Sequence, residues 1–182
     1  YNWLIKLMLF YYVATFLALT IPLNLSLYMH NLKLGNYDIS GTLISVFFLS
    51  MTLPGLLINR IIALLKAYTN FIAIVLLTVG LIFFGMFLLT LGVILTGFGY
   101  GIMQPIIYDK TASHVKPSEA TFVLSLVMVM NYIAIITYPF ILQGIESLFS
   151  TDSAYFPFIL STIIACCFSI FAFFRHNSET LN

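Results

Sequence analysis

Charge is what this sequence has least of: seven Lys and Arg and six Asp and Glu in 182 residues, 7% of the chain. A soluble domain carries about 25% charged residues and needs them to keep its surface wetted. With 62% hydrophobic residues and a mean hydropathy of +1.08, the composition reads as that of an integral membrane protein. Cysteine is equally scarce. Cys166 and Cys167 are adjacent in an apolar run, which excludes a disulfide scaffold and reads as two small buried or lipid-facing thiols. No basic stripe exists, which excludes nucleic-acid binding. The histidines, His30 in an outer loop, His114 in a cytoplasmic loop and His176 in the tail, have no partner at metal-ligand spacing, so neither a metal nor a cofactor is expected.

What is present is a succession of apolar runs. A bilayer core about 30 Å thick needs roughly 20 apolar residues per helix. Polar punctuation divides the chain into six spans, about 4–29, 39–58, 71–87, 89–108, 120–142 and 155–174. The stretch from Phe71 to Tyr108 is nearly unbroken, and its length places a turn near Gly85 to Thr90. Position 1 is a tyrosine and the first span lacks a signal-peptide cleavage site, so the chain is expected to begin inside a longer protein or to be a processed piece. With a cytoplasmic amino terminus, Lys6, Arg60, Lys66, Lys110, Lys116 and Arg175 fall on the cytoplasmic side and only Lys33 outside. The positive-inside rule then puts both termini in the cytoplasm.

The prolines suggest a repeat. Pro22 and Pro54 lie in the exit halves of spans one and two, Pro105 and Pro139 in those of spans four and five, at offsets of 83 and 85 residues. The alternative is chance, since proline is frequent in membrane helices. A repeat of about 1–88 as about 89–182, within a single membrane domain spanning 1–182, has an odd number of spans per unit, so the second copy is inverted, as in secondary transporters. Polarity sorts the spans in the same way. Span three holds Thr78 and span six holds Ser161, Thr162 and Ser169, whereas spans one, two, four and five carry many more polar residues. Polar groups in lipid must be satisfied, so those four spans should face a cavity or one another, leaving spans three and six toward lipid.

Two inverted three-helix repeats with peripheral third helices resemble one six-helix half of a major facilitator superfamily transporter. In the loop expected after span two, Gly55-Leu56-Leu57-Ile58-Asn59-Arg60 is similar to the family's motif A, Gly-x-Leu-x-Asp-Arg, with Asn59 where the motif has a carboxylate. Gly97-Phe98-Gly99-Tyr100-Gly101 followed by Gln104-Pro105 resembles the glycine-rich tenth helix of many members. The resemblance implies an all-α membrane fold, half of a twelve-helix transporter, with the amino-terminal six-helix half as partner beside the lipid bilayer and a small-molecule substrate. It also implies a latch, in which Asp109 pairs with Arg60, beside Gly55 and Asn59, or with Lys110 and Lys66 nearby; an ordinary interfacial charge is the alternative. The expected location is a bacterial plasma membrane.

Candidate substrate contacts are mid-span polar groups. Asn131 lies near the middle of span five, offering donors and an acceptor, with Tyr138 seven residues on along the same face. Thr96, Tyr100 and Gln104 recur every fourth residue in span four, and Tyr12 shares a face with Thr15 in span one. The alternative role is hydrogen bonding between helices. Gly97 and Gly101, four apart, permit close helix contact, with Gly99 elsewhere on the helix. Ser118 is expected to cap span five with Glu119 in its first turn. No carboxylate lies mid-membrane, so an acid for proton coupling belongs to the missing half. Motifs of intramembrane proteases and channel filters are absent, and no enzymatic activity is expected. A wall of Tyr, Phe, Met and Thr with one or two amides suits amphipathic or apolar organic molecules. That favours a multidrug-type exporter, proton antiport being implied only by the resemblance. A metabolite or siderophore-like exporter, an uptake carrier, and a standalone membrane protein without transport function are the alternatives.

Overall fold

A computed structural model describes residues 2–34, 37–151 and 153–180. Asp152 lies outside the described residues, as do the side chains of Arg175 and His176. The chain forms six α-helices: α1 (Asn2–Asn31), α2 (Tyr37–Leu65), α3 (Thr69–Gly85), α4 (Leu89–Ser113), α5 (Pro117–Phe149) and α6 (Phe156–Thr180), with a 3-10 turn (Lys66–Tyr68) before α3. Among the described residues there is no strand. Every expected span is a helix, and the turn expected between 85 and 90 occupies Met86 to Leu88. Five helices are long and apolar enough to cross a membrane; α3, at 17 residues, is apolar but shorter.

The outer surface agrees with that reading. Leu9, Leu49, Phe122, Ile136, Phe140, Ile163 and Phe171 all expose more than half of their surface. In water, such a surface would drive association; against lipid tails it is the solvated face. Inside, side chains from all six helices pack into one core, with Leu17, Ile21, Leu77, Phe84, Val93, Met103, Val127 and Ala165 almost wholly buried. A smaller cluster joins Phe16, Tyr138 and Leu142.

Two cavities fix the helix directions. One is bordered by Trp3 early in α1, Asn70 early in α3, His114 at the end of α4 and Ala172 late in α6. The other is bordered by Tyr28 late in α1, Gly85 at the end of α3, and Tyr155 and Phe158 around the start of α6. Thus α1 and α3 run one way, and α4 and α6 the other. Gly97 abuts Phe47 and Gly101 abuts Met51, so α2 runs with α4; Thr20 and Asn24 meet Tyr138 while Thr15 lies by Tyr100 and Asn131, so α5 runs with α1. Lys6, Arg60, Lys66, Lys110 and Lys116 consequently share one end of the bundle, with Lys33 at the other.

Helix α4 is the centre of the packing, and its glycines explain why. A side chain at Gly101 would strike the Met51 carbonyl of α2, and one at Gly97 would lie 2.7 Å from the Phe47 oxygen. On the opposite face, Gly99 sits against α3, where a Cβ would come within 2.6 Å of the Ala73 oxygen. The expected small-residue face at Gly97 and Gly101 is therefore the α2 contact, and Gly99 serves a second neighbour. Pro22, Pro54, Pro105 and Pro139 all lie inside helices.

Three local expectations need correction. Residues 55–60 are not a loop: α2 continues through them to Leu65, because the leucine-rich stretch after Pro54 contains nothing that ends a helix. Ser118 does not cap α5; Lys116 holds that position in extended conformation, with Pro117 at the first helical residue, where its fixed φ and missing N–H cost nothing. His30 belongs to the last turn of α1 rather than to a loop.

Candidate functional site

The polar residues of α1, α4 and α5 meet in one hydrogen-bonded layer inside the bundle. Tyr100 donates to Asn131 Oδ1 at 3.4 Å. A phenol has one proton, so the 3.0 Å contact between Tyr100 and Thr15 has the Thr15 hydroxyl as donor. The relay therefore runs Thr15 to Tyr100 to Asn131, from α1 through α4 to α5. One turn along α4, Gln104 Nε2 donates to the Tyr108 hydroxyl at 3.2 Å, and Tyr108 bonds Tyr11 at 2.8 Å with the rings edge-on at 5.8 Å. Tyr12 bonds Thr137 at 2.7 Å, joining α1 to α5 a second time.

What this layer leaves over gives it its chemistry. Thr15, Tyr11 and Tyr100 are buried, but Asn131 and Gln104 are only half-buried. Among the described residues, the Asn131 amide nitrogen and the Gln104 carbonyl oxygen have no hydrogen-bond partner. The layer thus presents three unused N–H donors, two from Asn131 and one from Gln104, and one unused carbonyl oxygen, with no net charge, next to half-buried phenol rings at Tyr12 and Tyr108. Such a surface can hold an uncharged or amphipathic organic molecule by matched hydrogen bonds and aromatic contact.

Four of the five expected contact residues, Asn131, Gln104, Tyr100 and Tyr12, are in this layer or bonded beside it. Tyr138 is elsewhere. It is 1% exposed, and its hydroxyl accepts from Asn24 at 2.7 Å and donates to Thr20 at 3.3 Å, while Thr20 also bonds Ser161 of α6 at 2.5 Å. This second cluster ties α1, α5 and α6 together and uses up the Tyr138 hydroxyl, while among the described residues the half-buried Asn24 keeps an unpartnered carbonyl oxygen at its edge. Thr96 also leaves the expected stripe: its hydroxyl is buried without a partner, pressed against Gly80 of α3. The hydroxyls of α2 behave differently again. Thr42, Ser45 and Thr52 each donate to a carbonyl of their own helix four residues back, which satisfies them on an exposed face without any neighbour.

Arg60 and Asp109 are both exposed near the ends of two packed, parallel helices, and no hydrogen bond or ion pair joins them among the described residues. Asn59 is exposed, and Gly55 faces open space, with nothing within 4 Å of the place a Cβ would occupy.

Some pairings carried no distinct sequence signal. The single interior polar residue of span three, Thr78, bonds Ser169 of α6 at 2.7 Å and the Ala165 carbonyl at 3.2 Å. The one usable clue is that span three keeps a single interior hydroxyl, Thr78, while span six carries only Ser161, Thr162 and Ser169. Among the described residues, no cluster of His, Cys, Asp or Glu is suited to a metal ion. Comparison of the chain with protein-family models, with curated proteins and with solved structures finds no match in any of the three.

Proposed function

We propose that the chain is one six-helix half of a secondary transporter for small organic molecules, working by alternating access, with Asn131 and Gln104 as substrate contacts. The observation that carries the proposal is the relay from Thr15 through Tyr100 to Asn131. It brings three helices to one polar layer and leaves an amide unused at its open side.

Helix pairing supports an inverted repeat of α1–α3 as α4–α6. Exchanging each helix for its counterpart turns the α1·α5 contact into α4·α2, α1·α2 into α4·α5, and α1·α6 into α4·α3, all of which are present, while α1·α4 and α3·α6 map onto themselves. The two units also run in opposite directions. Helices α2, α5 and α6 bury only 22%, 17% and 22% of their most apolar windows, against 50% and 61% for α1 and α4; of these free faces, we assign those of α2 and α5 to the second half and that of α6 to lipid. The layer has no carboxylate, and coupling to protons would need an acid from that second half. A multidrug-type exporter is the substrate class that best fits an uncharged, aromatic wall.

The test is extrusion of an amphipathic fluorescent cation such as ethidium from energised cells. Cells producing the protein from its native locus are expected to extrude the dye, Asn131→Ala to extrude it with about tenfold weaker apparent affinity, the value of roughly one lost polar contact, and residues 1–182 alone to insert without transport. Dye movement by residues 1–182 alone would overturn the half-transporter reading, and unchanged kinetics in Asn131→Ala would overturn the site.

A further inference from the structure

The cavity at the basic end of the bundle lies away from the polar layer and has a composition of its own. Its volume is about 460 Å³, and it opens between α1, α3, α4 and α6. Lys6 and Lys110 line it together with His114, whose ring lies 5.1 Å from that of Trp3. The remaining wall is apolar, with Phe10, Phe71, Phe168 and Phe171 prominent. Among the described residues, no Asp or Glu lines it.

The helices around it differ in length. At 17 residues, α3 is about 25 Å long, shorter than a bilayer core of about 30 Å, whereas α4 has 25 residues and reaches beyond it. The first turns of α3, at Asn70, Phe71 and Ile74, form one wall of the cavity, and the last turn of α4, at Lys110 and His114, forms another. The opposite end provides an internal comparison. There, α1, α3 and α6 leave a second cavity of about 220 Å³ lined by Tyr28, Leu81, Phe158 and Ile163, without a cation. One end therefore offers a cationic, tryptophan-bordered mouth over an aromatic groove, and the other offers only the groove.

We propose that the cavity at the basic end is a binding site for an anionic glycerophospholipid. The phosphate lies by Lys6 and Lys110, and the upper acyl segment lies along Phe71, Phe168 and Phe171. Lys6 and Lys110 bring positive charge to a phosphate at a wall that has no carboxylate among the described residues, and a basic pocket between membrane helices on the cytoplasmic side is the arrangement that holds anionic head groups. Trp3 sits where an indole is favoured, at the boundary between tails and head groups. The volume suits a head group and the start of a chain, with the rest of the lipid in the bilayer. This inference does not depend on the transport reading.

The experiment is native mass spectrometry of the purified full protein in neutral detergent, titrated with phosphatidylglycerol or with phosphatidylcholine of the same acyl chains. Phosphatidylglycerol is expected to bind at one saturable site and phosphatidylcholine much more weakly. Loss of each lysine near the surface should cost roughly fivefold, and K6Q/K110Q together about 30-fold. K116Q, at the same end but outside the cavity, should leave binding unchanged, and thermal unfolding of each variant separates lost binding from lost folding. Filling the groove by A172F, with both lysines intact, should also abolish the site. Equal binding of the two lipids, or equal loss in K116Q and K6Q/K110Q, would overturn the proposal, whatever the outcome of the dye-transport assay.

Discussion

At the level of single residues, the distinction that matters is between polar groups that are used up and polar groups with capacity left. Tyr138 and Asn131 lie on the same helix seven residues apart, yet Tyr138 is sealed among Asn24, Thr20 and Phe16 while Asn131 keeps its amide nitrogen. Tyr138→Phe should therefore lower the unfolding temperature of the detergent-solubilised protein, at about 0.6 kcal/mol per interhelical hydrogen bond, and leave dye affinity intact. Asn131→Ala should weaken dye affinity about tenfold, while costing stability only the single long bond from Tyr100. Measuring both properties in both variants checks the assignment, and a crossed result would place the substrate contact at the wrong cluster. Sequence alone could place both residues on α5 and could not tell them apart, because the difference is made by Asn24 and Tyr100, which come from other helices. Turn chemistry was hidden for a related reason. Lys33, Lys66, Phe87 and Ser150 adopt positive φ at helix ends, a conformation that normally advertises itself with glycine. Ser150, at φ 49°, follows α5, and the bonds from Ser150 N to Ser147 O and from Thr151 N to Glu146 O close that helix. Ser150→Gly removes the Cβ penalty and should stabilise the protein by about 0.5–1 kcal/mol, read as a raised unfolding temperature; a lowered one would show that the serine side chain has a role of its own.

At the level of elements, α4 is held by its neighbours through absent side chains. Gly101→Ala puts a methyl group on the Met51 backbone, which cannot rotate away as a side chain would, and should cost about 1–3 kcal/mol. Gly144→Ala in α5 meets nothing within 4 Å and should be neutral or slightly stabilising. Unfolding of the two variants side by side tests whether close backbone approach, rather than helix propensity, fixes α4 against α2. Here the sequence was informative: the spacing of Gly97 and Gly101 showed that a neighbour comes close on that face, although not that the neighbour is α2. The helix count and the turn at Met86 to Leu88 were legible for a similar reason, since bilayer thickness sets run length. Where local chemistry had to decide, the outcomes differ: α2 runs through Pro54 against proline's backbone preference, carried by the apolar stretch that follows, whereas Pro117 takes the first helical position that proline favours, ahead of Ser118. The same extension of α2 bears on the proposed latch. Arg60 rides on a helix parallel to the one carrying Asp109, and if the two lock one state of the transporter, exchanging them should recover the transport that either single neutralisation loses. A double exchange no better than the single variants would make them ordinary interfacial charges.

At the level of the whole molecule, the scarcity of charge has a distribution as well as a value. The described basic residues gather at one end except for Lys33, the layer at Asn131 has no fixed charge, and the free faces of α2 and α5 are mainly apolar, with hydroxyls such as Thr42, Thr52 and Ser125 bonded to their own helix. Under the proposal, a bundle built in this way supplies the wall of a site and a surface for a second half, and since the layer at Asn131 holds no acid among the described residues, the acid for proton coupling comes from that second half. The central claim is that the open side of Asn131 faces water in a transporting protein rather than lipid or another helix. It is tested most directly by a single-cysteine variant, Asn131→Cys with Cys166 and Cys167 replaced by alanine, produced from the native locus. Labelling with a membrane-impermeant thiol reagent would be applied to intact cells and to inside-out vesicles. The account predicts labelling from both sides of the membrane, slowed by substrate, while Ala134→Cys, at a position with no exposed surface, stays unlabelled. An Asn131→Cys that is as inert as Ala134→Cys from both sides would contradict it.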